Sequence, residues 1–238
     1  GTAGVGFLIE NRLAITCAHV LMAALGGDFI EDRPNDVFLL DFPLVDTGRN
    51  VHARVCYWNG QADIAGLELL EPTSPGVGPA SLVRSADYWG YSFRAFGFPK
   101  GYDLGVWAEG KLQSANTEGW LQVIDPQQSG YFIEPGFSGG PVWVEELGGV
   151  AGMVVGADRD PKRRVAFIIP TTKLLQEWPA LSASLPPPIQ KYLKAVQEYC
   201  TNLPYLTLHD IRPPKALDEV YVPLKARHQP MLDDKKSD

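Results

Sequence analysis

A chain of 238 residues, 45% hydrophobic and 21% charged, can bury a sizeable core as one large globular domain or two small ones, and is neither disordered nor fibrous. Its formal charge of -7 argues against a dedicated nucleic-acid binder, because phosphate contact favours a basic face and the one local cluster, Lys162-Arg163-Arg164, is too short to reverse the balance. No apolar stretch reaches the about 18 to 20 residues needed to cross a bilayer; the longest candidate, residues 13–25, contains Thr16 and His19, so neither nucleic acid nor membrane is expected as a partner.

Short apolar runs set among 24 glycines and 20 prolines favour an all-β body with many turns. In chain order, strands are expected at residues 4–9, 13–16, 37–42, 51–58 and 65–70. A breaker-rich stretch over 71–79 follows, and strands resume at 92–96, 105–109, 120–124, 140–144, 150–155 and 165–169. Two β-rich halves joined by a Pro/Gly/Ser linker are what two packed antiparallel β-barrels require. Beyond Pro170 the pattern changes. Residues 171–181 predict a short helix, and Pro186-Pro187-Pro188 ends it. Residues 189–201 carry Ile189, Tyr192, Leu193 and Val196 at helical spacing, and 233–238 have no apolar anchor. The expected organisation is therefore a first barrel and linker over 1–79, a second barrel over 80–175, and a helical and irregular extension over 176–238.

Cys17, Cys56 and Cys200 are odd in number, widely spaced and match no metal pattern, so no metal or other cofactor is expected and a reducing, cytoplasmic setting is favoured. Cys17 lies in a strand-like apolar run and reads as a small buried hydrophobe.

Three residues carry chemistry. Ser138 stands in Gly136-Phe137-Ser138-Gly139-Gly140-Pro141, where flanking glycines let the backbone turn sharply and present the hydroxyl while nearby amides point at a developing oxyanion. Alone, this spacing also fits the nucleophile elbow of an α/β-hydrolase, or a glycine-rich loop with an incidental serine. The hydrolase order requires β-α alternation with an acid and then a histidine after the serine, whereas the only later histidines, His209 and His228, fall in the extension. His19 closes Thr16-Cys17-Ala18-His19 at the end of the second strand of an early hairpin, and Asp63 opens an apolar run after the turn signal Asn59-Gly60. The order His, Asp, Ser, with the first two in the N-terminal half and the third in the C-terminal half, matches one known arrangement of a catalytic triad.

Ala14-Ile15-Thr16-Cys17-Ala18-His19, Asp63-Ile64-Ala65 and Gly136 to Pro141 resemble the histidine, aspartate and serine motifs of trypsin-like serine peptidases, with the likeness spanning roughly residues 1–175. The resemblance implies a chymotrypsin-like double barrel, Ser138 as nucleophile, His19 as general base and Asp63 as its orienting partner. It also implies an oxyanion hole from the backbone N–H groups of Gly136 and Ser138. Substrate would be a protein, bound at Phe132, Ile133, Val154, Val155 and Gly156. Two departures stand out. Secreted members carry an aspartate where this chain has Phe137, and an apolar ring cannot receive a new N-terminal ammonium; the base of the primary pocket falls on Phe132, which implies an apolar or small residue at the cleavage position. Glu134, Asp158 and Asp160 leave a basic preference open, and Lys162 to Arg164 an acidic one. A catalytically silent binding module and an esterase remain as alternatives.

The stretch from Tyr192-Leu193-Lys194 through Leu217 to Leu224 is similar to the segment that precedes the nucleotide-binding module of NACHT-type signalling ATPases. The chain itself has no Gly-x-x-x-x-Gly-Lys-Ser/Thr loop. That resemblance implies an effector domain with a tethered NTPase or sensor domain beyond residue 238, of the kind found in prokaryotic immunity and cell-death systems.

Overall fold

The computed structural model describes residues 2–27, 32–128, 130–158, 160 and 163–184. The extension helix expected over 189–201, Cys200 and the NACHT-like stretch lie outside these residues. Five strands build the first half: β1 (Phe7–Glu10), β2 (Leu13–Thr16), β3 (Val37–Phe42), β4 (Asp46–Asn59) and β5 (Ile64–Leu69), in the antiparallel order β1-β2-β5-β4-β3. Six more close the second half into a barrel: β6 (Ser92–Gly97), β7 (Val106–Ala115), β8 (Leu121–Ile124), β9 (Pro141–Val144), β10 (Gly149–Ala157) and β11 (Val165–Pro170), in the order β10-β11-β8-β7-β6-β9. The double-barrel expectation is met by one closed barrel and one half-barrel sheet.

Alternation explains why these runs are strands. In β6 the buried members Phe93 and Ala95 point inward between the exposed Ser92 and Arg94, the period-2 pattern of a sheet with one face on a core. Each half has its own core, with Leu8, Ala14, Val51, Ala53, Leu67 and Leu69 in the first. Phe93, Leu112, Val123, Phe137, Val142 and Ile168 belong to the second. The chain between them touches both. Ala80 N–H donates to Leu8 O on β1 at 2.8 Å, while Val150 N–H on β10 donates to Ser81 O at 2.8 Å.

One element was not anticipated. After Cys17 the chain does not remain extended; it enters helix α1 (Ala18–Leu25), so His19 sits in a helix's first turn rather than at a strand's end. The run Ala18-His19-Val20-Leu21-Met22-Ala23-Ala24-Leu25 is rich in helix formers. Gly26 in the left-handed region (φ 69°) stops it.

The helix expected at 171–181 is two, α2 (Thr171–Glu177) and α3 (Pro179–Ser184), separated at Trp178 because Pro179 cannot continue the hydrogen bonding of α2. The buried Thr171 hydroxyl anchors α2 by donating to Val150 O at 2.9 Å. One compact unit runs through Ser184, so both helices belong with the strands. Among the described residues, no helix is long and apolar enough to cross a membrane.

Candidate active site

Thr16 fixes the approach to α1 by donating its hydroxyl to Val5 O at 2.5 Å. Cys17 then caps the helix in an extended conformation (φ -75°, ψ 145°) without a side-chain cap bond. The first amides of a helix lack intrahelical partners, and Asp63 supplies one. Its Oδ1 accepts the His19 N–H at 2.9 Å, and its Oδ2 meets His19 Nδ1 at 2.7 Å. Each carboxylate oxygen thus has its own task, one on the helix and one on the ring. The imidazole is left half exposed (48%) while the carboxylate is largely covered (17%), so one ring edge stays open while the other is held.

Asp63 is delivered by the loop between β4 and β5, whose last ladder pair is Asn59 and Ile64. Asp63 has φ 57°, a left-handed conformation that aspartate tolerates better than most residues. Asn59 Oδ1 steadies the loop by accepting the Ala62 N–H at 3.0 Å.

Ser138 sits between two glycines whose backbone requires them. Gly136 has φ 109°, and a Cβ there would lie 2.4 Å from Phe98 O; Gly139 has φ 82°, and its Cβ would lie 2.1 Å from Val5 O. The loop therefore packs directly on the start of α1, since the same Gly139 position is 3.2 Å from Cys17 N. Its amides divide cleanly. Phe137 N–H donates to Glu134 O, Gly139 N–H to Val154 O and Gly140 N–H to Phe137 O, at 3.2, 2.8 and 3.0 Å. Those of Gly136 and Ser138 have no hydrogen-bond partner among the described residues, the pair expected to face an oxyanion. The Ser138 hydroxyl itself donates to Val155 O at 3.1 Å. Among the described residues no hydrogen bond joins it to His19.

Phe137 is fully buried, its ring against Gly97, where a Cβ would come within 2.4 Å of the ring. Position 137 is thus part of the second core, in a notch shaped for an aromatic ring.

Sequence reasoning missed the surroundings of the carboxylate. Cys17 is completely buried and its thiol donates to Val154 O at 3.2 Å. Burial pushes the thiol pKa well above its ordinary value, and the charge of Asp63 and a hydrogen bond to it push the same way. A thiol held protonated is a poor nucleophile. Alkylation of the native protein at pH 8, mapped by mass spectrometry, is therefore expected to modify the exposed Cys56 and leave Cys17 intact; early modification of Cys17 would contradict this packing. Cys17, His19 and Asp63 also offer ligand atoms within 4.8 Å of one another, the one set among the described residues with metal-ligand spacing. The thiol is committed to its proton and Val154 and the ring Nδ1 to Asp63, which leaves Nε2 as the open nitrogen. An open cavity of about 370 Å³ adjoins the pair, lined by Ala18, Met22, Trp58 and Gly60 beside His19 and Asp63.

The expected pocket residues divide. Val154 is joined to the serine loop by Gly139 N–H to Val154 O and Val154 N–H to Gly140 O, at 2.8 and 2.9 Å, and Val155 O accepts the Ser138 hydroxyl. Gly156 faces open space. Phe132, Ile133 and Val154, however, bury their side chains in the second core. Beneath Phe132, the Arg164 guanidinium lies 5.5 Å from the ring and pairs with the buried Asp125. Asp125 also accepts the N–H groups of Gln127 and Gln128, both at 3.0 Å. Arg164 is thereby taken up internally, and Arg163 pairs with Asp160 at 3.7 Å. Lys162 lies outside the described residues.

No curated protein matches the chain. The crystal structure of the Rv3671c protease in an inactive form resembles it with a TM-score of 0.53 at 18% identity, over 75% of this chain and 83% of that one, a likeness of fold. The sequence matches the model of the trypsin-like peptidase domain over residues 4–153, from the segment that borders the serine loop to the middle of β10. All three residues of the expected triad fall inside that span, and the chain belongs to the trypsin-like peptidase domain family.

Proposed function

We propose that the chain is a serine endopeptidase acting on protein substrates, with Ser138 as nucleophile, His19 as general base and Asp63 as the residue that orients and stabilises the imidazole. The observation that carries this reading is the two-point contact of Asp63 with His19, at 2.9 and 2.7 Å. With Nδ1 donating to the carboxylate, Nε2 is free to accept a proton.

In the reaction, Ser138 Oγ bonds to the scissile carbonyl carbon as its proton passes to His19 Nε2. The carbonyl electron pair moves onto oxygen, which the N–H groups of Gly136 and Ser138 receive. Collapse breaks the C–N bond, and the leaving amine takes the proton from Nε2. Water then repeats the sequence on the acyl-enzyme and releases the acid. Before attack, Ser138 must exchange its bond to Val155 O for one to His19, a swap of one hydrogen bond for another, each worth about 1 kcal/mol net.

That same Ser138–Val155 bond is what favours a second reading, a catalytically silent protease fold that recruits partners through its cleft. The two readings separate on a peptide library. The half-buried edge at Val155 and Gly156, with Arg164 neutralised by Asp125, leads to expected cleavage after small or apolar residues. Cleavage mainly after Lys, Arg, Asp or Glu would contradict the pocket reading, and no cleavage by any preparation would favour the silent module.

Regulation forms part of the proposal. The apolar Phe137 offers no acceptor for a new N-terminal ammonium, and residues 192–224 resemble the approach to a NACHT-type module. We therefore place the chain as a cytoplasmic effector domain controlled by a tethered NTPase or sensor, in a prokaryotic immunity or cell-death system. Equal activity of residues 1–238 and of a longer natural form, with and without nucleotide, would contradict that control.

A further inference from the structure

We infer that Glu177 and Trp178, at the end of α2, act through Asn59 as positioning residues for Asp63; the inference rests on the catalytic role proposed for that aspartate. The demand is set by geometry. Asp63 must hold a left-handed backbone at φ 57° while its two oxygens meet a helix amide and a ring nitrogen within 2.9 Å. A loop of four residues, 60–63, carries it, and the Asn59 side chain is what ties that loop internally.

An asparagine amide has an acceptor end and a donor end of nearly the same shape, and only its neighbours decide which way it points. Here Nδ2 donates to Glu177 Oε2 at 3.3 Å, which leaves Oδ1 facing the Ala62 N–H at 3.0 Å. A carboxylate can only accept. Glu177 therefore fixes the amide in the orientation that supports the loop; the reversed amide would set NH2 against N–H and release it.

Glu177 is itself held on the same hairpin. Its carbonyl accepts the Tyr57 hydroxyl at 2.5 Å. The next residue, Trp178, stacks on the Tyr57 ring with centroids 4.4 Å apart and planes 6° from parallel. The indole fills the space over Gly66, where a Cβ would lie 2.2 Å from the ring. Tyr57 and Gly66 are ladder partners in β4 and β5, the strands that lead into and out of the Asp63 loop. The second oxygen of Glu177 turns back to Lys173 Nζ at 3.7 Å within α2. The end of α2 thus grips the hairpin by a stacked ring, a hydroxyl and an amide, and a displacement of this corner is transmitted to the triad carboxylate.

The test uses the whole 238-residue protein and the variants Glu177→Ala, Glu177→Gln and Asn59→Ala, reading kcat and KM separately on a peptide substrate. Small misplacements of catalytic groups act on turnover, so Glu177→Ala and Asn59→Ala are expected to lower kcat about tenfold with KM within about twofold. Glu177→Gln keeps an acceptor for Asn59 Nδ2 but adds a donor of its own, so it should retain more of the turnover than Glu177→Ala while falling short of the parent. Independently of activity, the far-downfield proton resonance of His19 Nδ1–H should broaden or vanish in the two alanine variants and persist in Glu177→Gln. Unchanged kcat and an unchanged resonance in both alanine variants, even with a lowered melting temperature, would overturn the positioning role and leave a purely structural one. Equal losses in Glu177→Gln and Glu177→Ala would overturn it as well, by pointing to charge rather than to the acceptor. If the parent protein shows no hydrolysis, the proposed function fails while the resonance still decides the positioning role.

Discussion

Asp63→Asn is expected to fold normally and to lose about 10⁴-fold in kcat. The amide is close in size to the carboxylate, so one oxygen can still accept the His19 N–H that Oδ1 holds at 2.9 Å. The other end becomes an NH2 group facing His19 Nδ1, where a carboxylate oxygen now lies at 2.7 Å. The ring must then carry its proton on Nε2 to let Nδ1 accept, and Nε2 can no longer take a proton from Ser138. Turnover of a peptide or small ester, measured beside circular dichroism, checks this. A loss below about tenfold, with the fold intact, would mean that the imidazole is not held for catalysis by Asp63.

The largest effect on stability is expected at Gly139. An alanine there would have to adopt φ 82° and set its Cβ 2.1 Å from Val5 O and 2.3 Å from Thr16 Oγ1, inside the contact that carries the Thr16–Val5 hydrogen bond. Strain in the left-handed region and loss of a buried polar contact each cost on the order of 1 to 3 kcal/mol. Together they predict a destabilisation of about 3 kcal/mol or more, equivalent to a fall in melting temperature of roughly 6 to 12 °C for a domain of this size. Gly156→Ala is the control. No atom lies within 4 Å of its Cβ position, so thermal melting should move little. A Gly139→Ala protein as stable as the parent would mean that the serine loop does not pack on Val5 and Thr16.

Much of this molecule was legible in its amino acids, for reasons that differ between elements. The strands were readable because runs such as Ser92–Gly97 alternate faces and end at turn residues, and eleven of them occur where such runs fall. The three residues of the expected triad were found by motif, and the structure brings His19 and Asp63 into contact. The helix carrying His19 was not read, because Ala18 to Leu25 follows a strand without any change in hydrophobic character. A length of eight residues offers little periodicity beyond the Gly26 stop. The pocket was legible only in part. Counting from Ser138 finds Phe132 and Ile133, but whether those side chains face a cleft or the core depends on how the barrel closes and on Arg164, which comes from β11's approach rather than from the serine loop. The brace on the Asp63 loop was out of reach, since Asn59 and Glu177 are 118 residues apart and the Asn59-Gly60 turn signal carries no pointer to Glu177. Only the packing of α2 against β4 joins them.

Labelling with a fluorophosphonate tests the central claim most directly, because the probe reacts with a serine only when a base and an oxyanion site act on it together. The account predicts one covalent adduct, mapped by mass spectrometry to Ser138, that disappears in Ser138→Ala and is slowed strongly in Asp63→Asn. Failure of the folded protein to label at Ser138, or an adduct that persists in Ser138→Ala, would contradict it.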